Sequence, residues 1–122
     1  MNGYIGMLKD LGITQDQMDY VTNSLVVIEL ENDIYSKSKS KVHGIDIFAL
    51  RNILKEEIIG LGSIDGNYKT ILGRYTNHSD NNNAMFYYLK NRDVAMVAEK
   101  DIYKDEEILI NYRDHVLNEK YL

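Results

Sequence analysis

The segment RYTNHSDNNN, from Arg74 to Asn83, is the part of this sequence from which its architecture can be argued. The side chain of Asn77 carries a hydrogen-bond donor and an acceptor, and His78 adds a ring donor and a main-chain N–H. The pair can therefore hold a polar ligand by several hydrogen bonds. Without its surroundings, His78 is better interpreted as a buried histidine that is satisfied by a backbone carbonyl. The interpretation thus depends on the segments before and after it.

Two other segments complete the pattern, one upstream and one downstream. The upstream segment is GIDIFA, from Gly44 to Ala49, which continues into KEEII at residues 55–59. The downstream segment is AEKDIYKDEEILINY, from Ala98 to Tyr112. A glycine beside a strand lets a ligand approach the backbone closely, as Gly44 can. The specific signal is the occurrence of all three segments, in this order and at this spacing.

Together the three segments resemble the motifs of the SET domain family. GIDIFA looks like the family's Gly-x-Gly-Val-Phe-Ala, and RYTNHSDNNN is similar to its Arg-Phe-Ile-Asn-His-Ser-Cys-x-Pro-Asn. Residues 98–112 resemble Ala-x-x-Asp-Ile-x-x-Gly-Glu-Glu-Leu-Thr-x-Asp-Tyr, and the resemblance extends over about residues 25–115. It implies a mostly β SET fold of several short-stranded sheets with a C-terminal pseudoknot. It also implies the small stand-alone type that occurs in viruses, phages and microbes.

The same resemblance implies a protein-lysine N-methyltransferase that uses S-adenosylmethionine and releases S-adenosylhomocysteine, without a metal. Asp46 stands where the family has its second glycine, so a carboxylate is expected near the rim of the cofactor. Arg74 is expected to meet the carboxylate of the methionine moiety. The residues expected to bind the cofactor are His43, Gly44, Ile45, Asp46, Arg74, Asn77, His78 and Tyr112.

Tyr112 is the catalytic candidate, because it takes the place of the family's C-terminal tyrosine at the end of a strand. Methyl transfer from a sulfonium to an amine is an in-line displacement, so the protein must align the atoms and exclude water. An apolar channel favours the neutral lysine amine that the reaction needs, and a tyrosine hydroxyl can orient it. Alternation in a strand places Phe86 and Tyr88 on one face. The candidate channel residues are Tyr68, Phe86, Tyr88 and Ile110.

The first 23 residues are interpreted as a helical appendage to a SET-like domain at residues 24–122. A helical turn is expected to end at Gly12. Thr14 and Gln17 then have the spacing of a capping box, with Ile13 placed to pack on Met18. The helix that they begin is expected to continue to about residue 23.

Strands are expected at residues 25–30, 46–50, 57–59, 84–90, 94–99 and 108–112, with a hairpin turn at residues 91–93. The run SKSKSK, residues 36–41, is interpreted as a solvated loop, although its lysines could instead approach an anionic ligand. Glu56 and Asp105 stand at turn positions where the family has glycine. Aspartate adopts the left-handed backbone of such turns more readily than glutamate.

Composition narrows the class of protein. The absence of Cys excludes disulfides, thiol catalysis and Cys-based metal sites. No apolar run approaches the roughly 20 residues of a membrane span, so an intracellular protein without membrane contact is expected. The formal net charge of −5 argues against nucleic-acid binding and favours a basic partner, such as a lysine-bearing peptide.

Two parts of the family pattern are missing. Only residues 60–73 separate the first motif from the second, so nearly all of the inserted helix of the substrate groove is absent, as is the Cys-rich C-terminal lid. The N-terminal 23 residues, or the second subunit of a homodimer, are expected to supply the missing wall. Two alternatives remain. One is a SET-like binding module without catalysis, and the other is a metal site of His43, His78 and His115, which their wide separation disfavours.

Overall fold

The computed structural model describes residues 4–12, 14–17, 26–40 and 44–122. The helices are α1 (Tyr4–Leu11), α2 (Ile71–Tyr75) and α3 (Tyr112–Leu117), and residues 15–17 form a further helical turn. The strands are β1 (Val26–Ile28), β2 (Tyr35–Ser40), β3 (Gly44–Ala49), β4 (Ile58–Ile64), β5 (Tyr68–Thr70), β6 (Asn77–His78), β7 (Ala84–Tyr88), β8 (Val94–Ala98) and β9 (Leu109–Ile110). Strands β2 and β3 form an antiparallel pair, and the others form one sheet in the order β1-β5-β4-β8-β7-β9-β6.

Strand β9 is inserted between two strands that precede it in the chain. It pairs in parallel with β6 on one side and with β7 on the other. The loop from β6 to β7 passes around it, because Ser79 N–H donates to the Ile110 carbonyl at 2.9 Å and Asn83 N–H donates to the Leu109 carbonyl at 3.0 Å. The side chain of Asn83 also accepts from Leu109 N–H at 2.8 Å. The predicted mostly β architecture with a C-terminal pseudoknot is confirmed.

The prediction of a loop was wrong for residues 36–40, and residue 41 lies outside the described residues. Strand β2 pairs with β3 along its whole length, from Tyr35 opposite Ala49 to Ser40 opposite Gly44. Buried Tyr35 anchors the strand. Because the side chains alternate between serine and lysine, exposed Lys37 and Lys39 share one face of this edge strand, a composition typical of edges that must remain solvated.

The shortened segment between β3 and β6 folds into a hairpin and a short helix. Strand β4 extends beyond the predicted residues 57–59 to Ile64, because it pairs with β5. The hydroxyl of Thr70 caps α2 by accepting from Gly73 N–H at 3.1 Å. A Cβ on Gly73 would overlap the carbonyl group of Gly62, so this crossing requires glycine. The close crossing lets α2 lead directly into β6.

The predicted hairpin turn at residues 91–93 is confirmed between β7 and β8. Asn91 Oδ1 accepts from Asp93 N–H at 3.1 Å, and Leu89 N–H donates to the Asp93 carbonyl at 2.9 Å. Arg92 has a left-handed backbone with φ 69°, which tightens the turn. The hairpin keeps β7 and β8 in register from Ala84 opposite Ala98 onward.

Helix α1 ends where the sequence predicts, at Gly12, whose φ is +69°. The capping box is also confirmed, since Thr14 N–H donates to Gln17 Oε1 at 2.9 Å and Gln17 N–H donates to Thr14 Oγ1 at 3.1 Å. The predicted contact of Ile13 with Met18, and the end of that helix, lie outside the described residues.

Helix α1 packs on α3 near the C-terminus. Met7 of α1 is fully buried, and Asp10 forms an ion pair with Arg113 at 3.0 Å. The main core lies between the strands and α2, and its fully buried members are Ile47, Ile53, Leu72, Ala84, Met96, Ile108 and Ile110. Within the described ranges, no helix has the length and apolar character needed to cross a bilayer.

Candidate active site

Tyr112 lies directly after β9, next to the residues of the central motif. Because β9 pairs with β6 through Leu109 opposite Asn77 and Ile110 opposite His78, Tyr112 follows within two residues of the latter pair. It was predicted at the end of a strand, but it is the first residue of α3. The reason is local, since the Asn111 side chain caps the helix by accepting from Asp114 N–H at 3.0 Å.

His78 connects the two segments through its ring. Its side chain is buried, and Nδ1 accepts the main-chain N–H of Tyr112 at 3.0 Å. Since Nδ1 is an acceptor, the neutral ring carries its hydrogen on Nε2, which lies 3.2 Å from Asp80 Oδ1. Burial lowers the pKa of His78, against the opposing effect of Asp80. His78 is therefore a neutral residue that fixes the start of α3, and its partner is an N–H group rather than a carbonyl.

Asn77 lies between two carboxylates. Its Nδ2 group donates to Asp46 Oδ1 at 2.5 Å and to Glu107 Oε2 at 2.8 Å. Asp46, on β3, is only 4% exposed, so its carboxylate is buried against Asn77. Sequence reasoning named Asp46 but missed Glu107, although the paired glutamates of the third motif were visible. The cluster combines an amide with an excess of negative charge.

The hydroxyl of Tyr112 is fixed by the end of α2. It donates to the Thr76 carbonyl at 2.8 Å, with the Gly73 carbonyl at 3.4 Å. The ring centroid lies 6.2 Å from that of His78 and 6.2 Å from that of Phe86. Tyr112 thus connects the central motif to strand β7.

Phe86 and Tyr88 lie under α3 and share an aromatic cluster with His115. The His115 ring makes an edge contact with Phe86 at 5.1 Å and stacks on Tyr88 at 5.4 Å. Burial lowers the pKa of His115, and the charge of nearby Lys69 lowers it further. Burial also lowers the pKa of Lys69 itself, with a smaller contribution from Arg74. Sequence reasoning missed His115 as a member of this cluster, because its partners are distant in the chain.

The other two candidate channel residues lie apart from this aromatic cluster. Tyr68 is 43% exposed on β5, and its ring makes no aromatic contact in the described part of the chain. Ile110 is fully buried in the main core between β6 and β7. The structure therefore brings Phe86 and Tyr88 together around His115, with Ile110 in the main core and Tyr68 at the surface, and the lysine channel stays a prediction.

The start of β3 is open to a ligand at Gly44. Its φ is +92°, and a Cβ built there would have no neighbour within 4 Å. Ile45 is half-buried beside it, and His43 lies outside the described residues.

A group of cations surrounds Tyr75 at the end of α2. The guanidinium carbon of Arg74 lies 5.2 Å from the centroid of this ring, and Lys37 Nζ of β2 lies 6.0 Å from it. The strand geometry of residues 35–40 therefore brings a lysine of the SKSKSK run to the same ring that Arg74 approaches.

Among the described residues, no group of three or more His, Cys, Asp or Glu side chains is arranged to hold a metal ion. His78 pairs with Asp80, whereas His115 stacks between aromatic rings.

Comparison with known protein families decides the assignment. The sequence profile of the SET domain matches residues 18–113. This chain belongs to the SET domain family. The match covers all three motifs, so the SET fold predicted from them is confirmed. Comparison with curated proteins gives no match for this SET domain chain.

Solved structures agree with the SET fold. A candidate histone methyltransferase of Plasmodium falciparum is similar at a TM-score of 0.54 and 27% identity, over 64% of this chain and 96% of that one. Polycomb Repressive Complex 2 of Chaetomium thermophilum, in an autoinhibited conformation bound to S-adenosylmethionine, gives a TM-score of 0.50 and 21% identity. That comparison covers 66% of this SET domain chain but only 15% of the Polycomb chain, and it supports the fold alone.

Proposed function

We propose that this chain is a protein-lysine methyltransferase that takes its methyl group from S-adenosylmethionine. The observation that carries the proposal is the convergence of Asn77, His78 and Tyr112. His78 and Tyr112 are 34 residues apart in sequence, yet the ring of one accepts the main-chain N–H of the other. Membership of the SET family and the similarity to a candidate histone methyltransferase support the same activity.

The residues around Asn77 fit the methionine end of the cofactor. Asp46 and Glu107 bring two carboxylates to this position, which suits the α-ammonium group of the cofactor. Arg74 and Lys37 bring positive charge to the ring of Tyr75 and suit the α-carboxylate. When bound, S-adenosylmethionine supplies an electrophilic methyl group and leaves as S-adenosylhomocysteine.

Tyr112 is proposed as the catalytic residue that orients the acceptor amine. Its hydroxyl hydrogen is donated to the Thr76 carbonyl, which fixes the orientation of the hydroxyl, and a phenol oxygen is also able to accept an N–H of a neutral amine. The amine lone pair would then be left for the methyl group that bound S-adenosylmethionine would supply. Because such a transfer would form a nitrogen–carbon bond as a sulfur–carbon bond breaks, alignment of the amine is the main contribution of Tyr112.

The apolar environment around Phe86 and Tyr88 is proposed to keep the acceptor lysine neutral. Burial disfavours the charged form of an amine, and this effect already lowers the pKa of Lys69 near the same cluster. The lysine proton is lost to solvent before transfer. The formal net charge of −5 suits a basic peptide as the substrate.

A second function, binding without catalysis, is favoured by one specific contact. The side-chain amide of Asn77 has two hydrogens, and Asp46 and Glu107 accept both of them. A SET module whose asparagine is occupied in this way would hold a basic peptide without transferring a methyl group.

Labelled S-adenosylmethionine and a protein extract distinguish the two functions. Tyr112→Phe and Asn77→Ala are expected to lower methyl transfer by about 10²-fold, because each disturbs the alignment of the reacting atoms. Tyr103→Phe is the matched control, since Tyr103 is 61% exposed and, among the described residues, no hydrogen bond or ring contact joins its side chain to Asn77, His78 or Tyr112. Equal labelling by all four chains would sink the mechanism. A chain that shows no calorimetric affinity for S-adenosylmethionine would favour a binding module.

A further inference from the structure

The C-terminal residues form a strand-like contact with the edge of β7. Tyr88 N–H donates to the Lys120 carbonyl at 2.8 Å, and Leu122 N–H donates to the Tyr88 carbonyl at 3.0 Å. This is a parallel bridge between Tyr88 and Tyr121. The two tyrosine rings also meet, with their centroids 5.5 Å apart. We call residues 120–122 the C-terminal strap.

The strap takes an edge that the sheet leaves open. One edge of β7 is covered by β8 from Ala84 to Tyr88, and the other is paired with β9 only at Ala84 opposite Ile110. Alternation of the backbone directs the N–H and C=O groups of Phe86 toward the same edge as those of Tyr88. An edge of this kind is a template for an extended chain.

The strap is held weakly. Tyr121 and Leu122 are 67% and 54% exposed, so they bury little apolar surface. Among the described residues, its polar contacts are the two backbone hydrogen bonds, a hydrogen bond of 2.6 Å from the Tyr121 hydroxyl to Glu119 Oε2, and an ion pair of 3.6 Å between Lys120 Nζ and Asp114 Oδ2. Each hydrogen bond contributes little net free energy, because it replaces a hydrogen bond to water, and a partly exposed ion pair contributes less. Another extended segment could therefore replace the strap.

The edge lies beside the candidate acceptor site. Tyr88 stacks on His115, which contacts Phe86, and the Phe86 ring lies 6.2 Å from that of Tyr112. A peptide strand along this edge would consequently run next to the aromatic cluster under α3.

We propose that the β7 edge from Phe86 to Tyr88 is the docking site of an extended basic peptide, and that the C-terminal strap occupies it in the free protein. The strap itself indicates the chemistry of the peptide, which is a lysine followed by an aromatic residue. Lys120 meets the carboxylate of Asp114, and Tyr121 packs on Tyr88. The peptide gains affinity from main-chain hydrogen bonds and specificity from these two positions. The inference rests on the proposed function for its biological meaning, but its binding test does not require methyl transfer.

Removal of the strap tests this proposal by peptide binding. The probe is a fluorescently labelled basic peptide that contains Lys-Tyr-Leu, measured by anisotropy without cofactor. A chain that ends at Glu119 is expected to bind it about tenfold more tightly than the full chain, because the competing segment is gone. Tyr121→Ala is expected to give a smaller gain, and Tyr103→Ala, at another exposed tyrosine, none. Unchanged or weaker binding by the shortened chain would overturn the proposal.

Two further readouts test whether the peptide binds at the β7 edge of a single chain. Titration of the peptide into the full chain is expected to shift the amide resonance of Tyr88, and replacement of the peptide's lysine and tyrosine by alanine to abolish the shift. Sedimentation must show a monomer for the shortened chain, because a dimer would mean that a second copy takes the edge. If the peptide binds here but is not methylated, the proposed function fails while the docking site stands. If the peptide is methylated but does not shift the Tyr88 amide resonance, the proposed function stands and the docking site fails.

Discussion

Four described residues outside the central motif, namely Glu56, Asp65, Arg92 and Asp105, hold a backbone conformation that usually belongs to glycine. Glu56 has a φ of 75° and Asp105 a φ of 72°. Both stand at turn positions that the SET motifs assign to glycine, so the sequence-based interpretation of these positions as turns is confirmed. The left-handed conformation costs an ordinary L-residue about 1–2 kcal/mol. Glu56 stays there because its N–H donates to the Ala98 carbonyl at 2.7 Å.

Glu56→Gly is therefore expected to raise the free energy of unfolding. Relief of the strain outweighs the greater entropy of glycine in the unfolded chain, and the net gain is about 0.5–1 kcal/mol. Urea unfolding would measure it through the midpoint. Lys104→Gly is the matched control, since Lys104 is exposed and has no positive φ, so that variant should lose stability. A loss of stability in Glu56→Gly as well would contradict the argument.

The two described histidines make stability depend on pH. Burial lowers the pKa of both His78 and His115 from the ordinary 6.5, so the folded state favours the neutral rings. Above pH 6.5 the rings of His78 and His115 are mostly neutral in both the folded and the unfolded chain. As the pH falls through 6.5, the unfolded chain takes up protons that the folded chain resists, and stability decreases until the folded pKa is passed. Protonation of His78 would also remove the acceptor of the Tyr112 N–H group.

We accordingly expect the melting temperature to decrease when the pH is lowered from about 7.5 to about 5.5. Ordinary carboxylates titrate below this range, so their protonation does not contribute to the change. His115→Phe should retain the ring contacts with Phe86 and Tyr88 and reduce the pH dependence. Differential scanning calorimetry at both pH values would measure the two effects. A melting temperature that rises on acidification would be incompatible with neutral buried histidines.

At the scale of helices and strands, the predictions were wrong where contacts made by another part of the chain outweigh the preference of the local sequence. The run SKSKSK has low strand propensity, but β3 supplies a continuous hydrogen-bonding partner and Tyr35 an anchor. At the other end of the chain, Asn111 stops β9 and begins α3 by capping it. The cap turns the chain at Tyr112, so the helix that follows covers Phe86 and Tyr88.

At the scale of the molecule, the N-terminal helix is connected to the candidate site. Asp10 of α1 pairs with Arg113, which lies 3.4 Å from Asp80, the partner of His78. Helix α1 thus braces α3, which begins at Tyr112. The expectation that residues 1–23 or a second subunit close the substrate groove remains a prediction.

The packing of α1 predicts which contact matters for stability. Met7→Ala is expected to lower the free energy of unfolding by about 2–3 kcal/mol, because Met7 is fully buried between α1 and its neighbours. Asp10→Ala should cost less than about 1 kcal/mol, since the Asp10 side chain is 56% exposed and its ion pair is screened. Chemical unfolding of both variants would compare them. A Met7→Ala chain as stable as the natural one would show that α1 is not part of the folded unit.

The sequence by itself determined the family, the mostly β architecture, the capping box and the hairpin turn, because these depend on motif order and on signals between residues close in the chain. Only the tertiary structure decided that Asp46 and Glu107 meet at Asn77, from positions 31 and 30 residues away. It likewise decided that His115 stacks on Tyr88 and makes an edge contact with Phe86, and that residues 120–122 lie on the edge of β7. Such contacts arise from strand pairing between distant segments, which no local pattern in the sequence records.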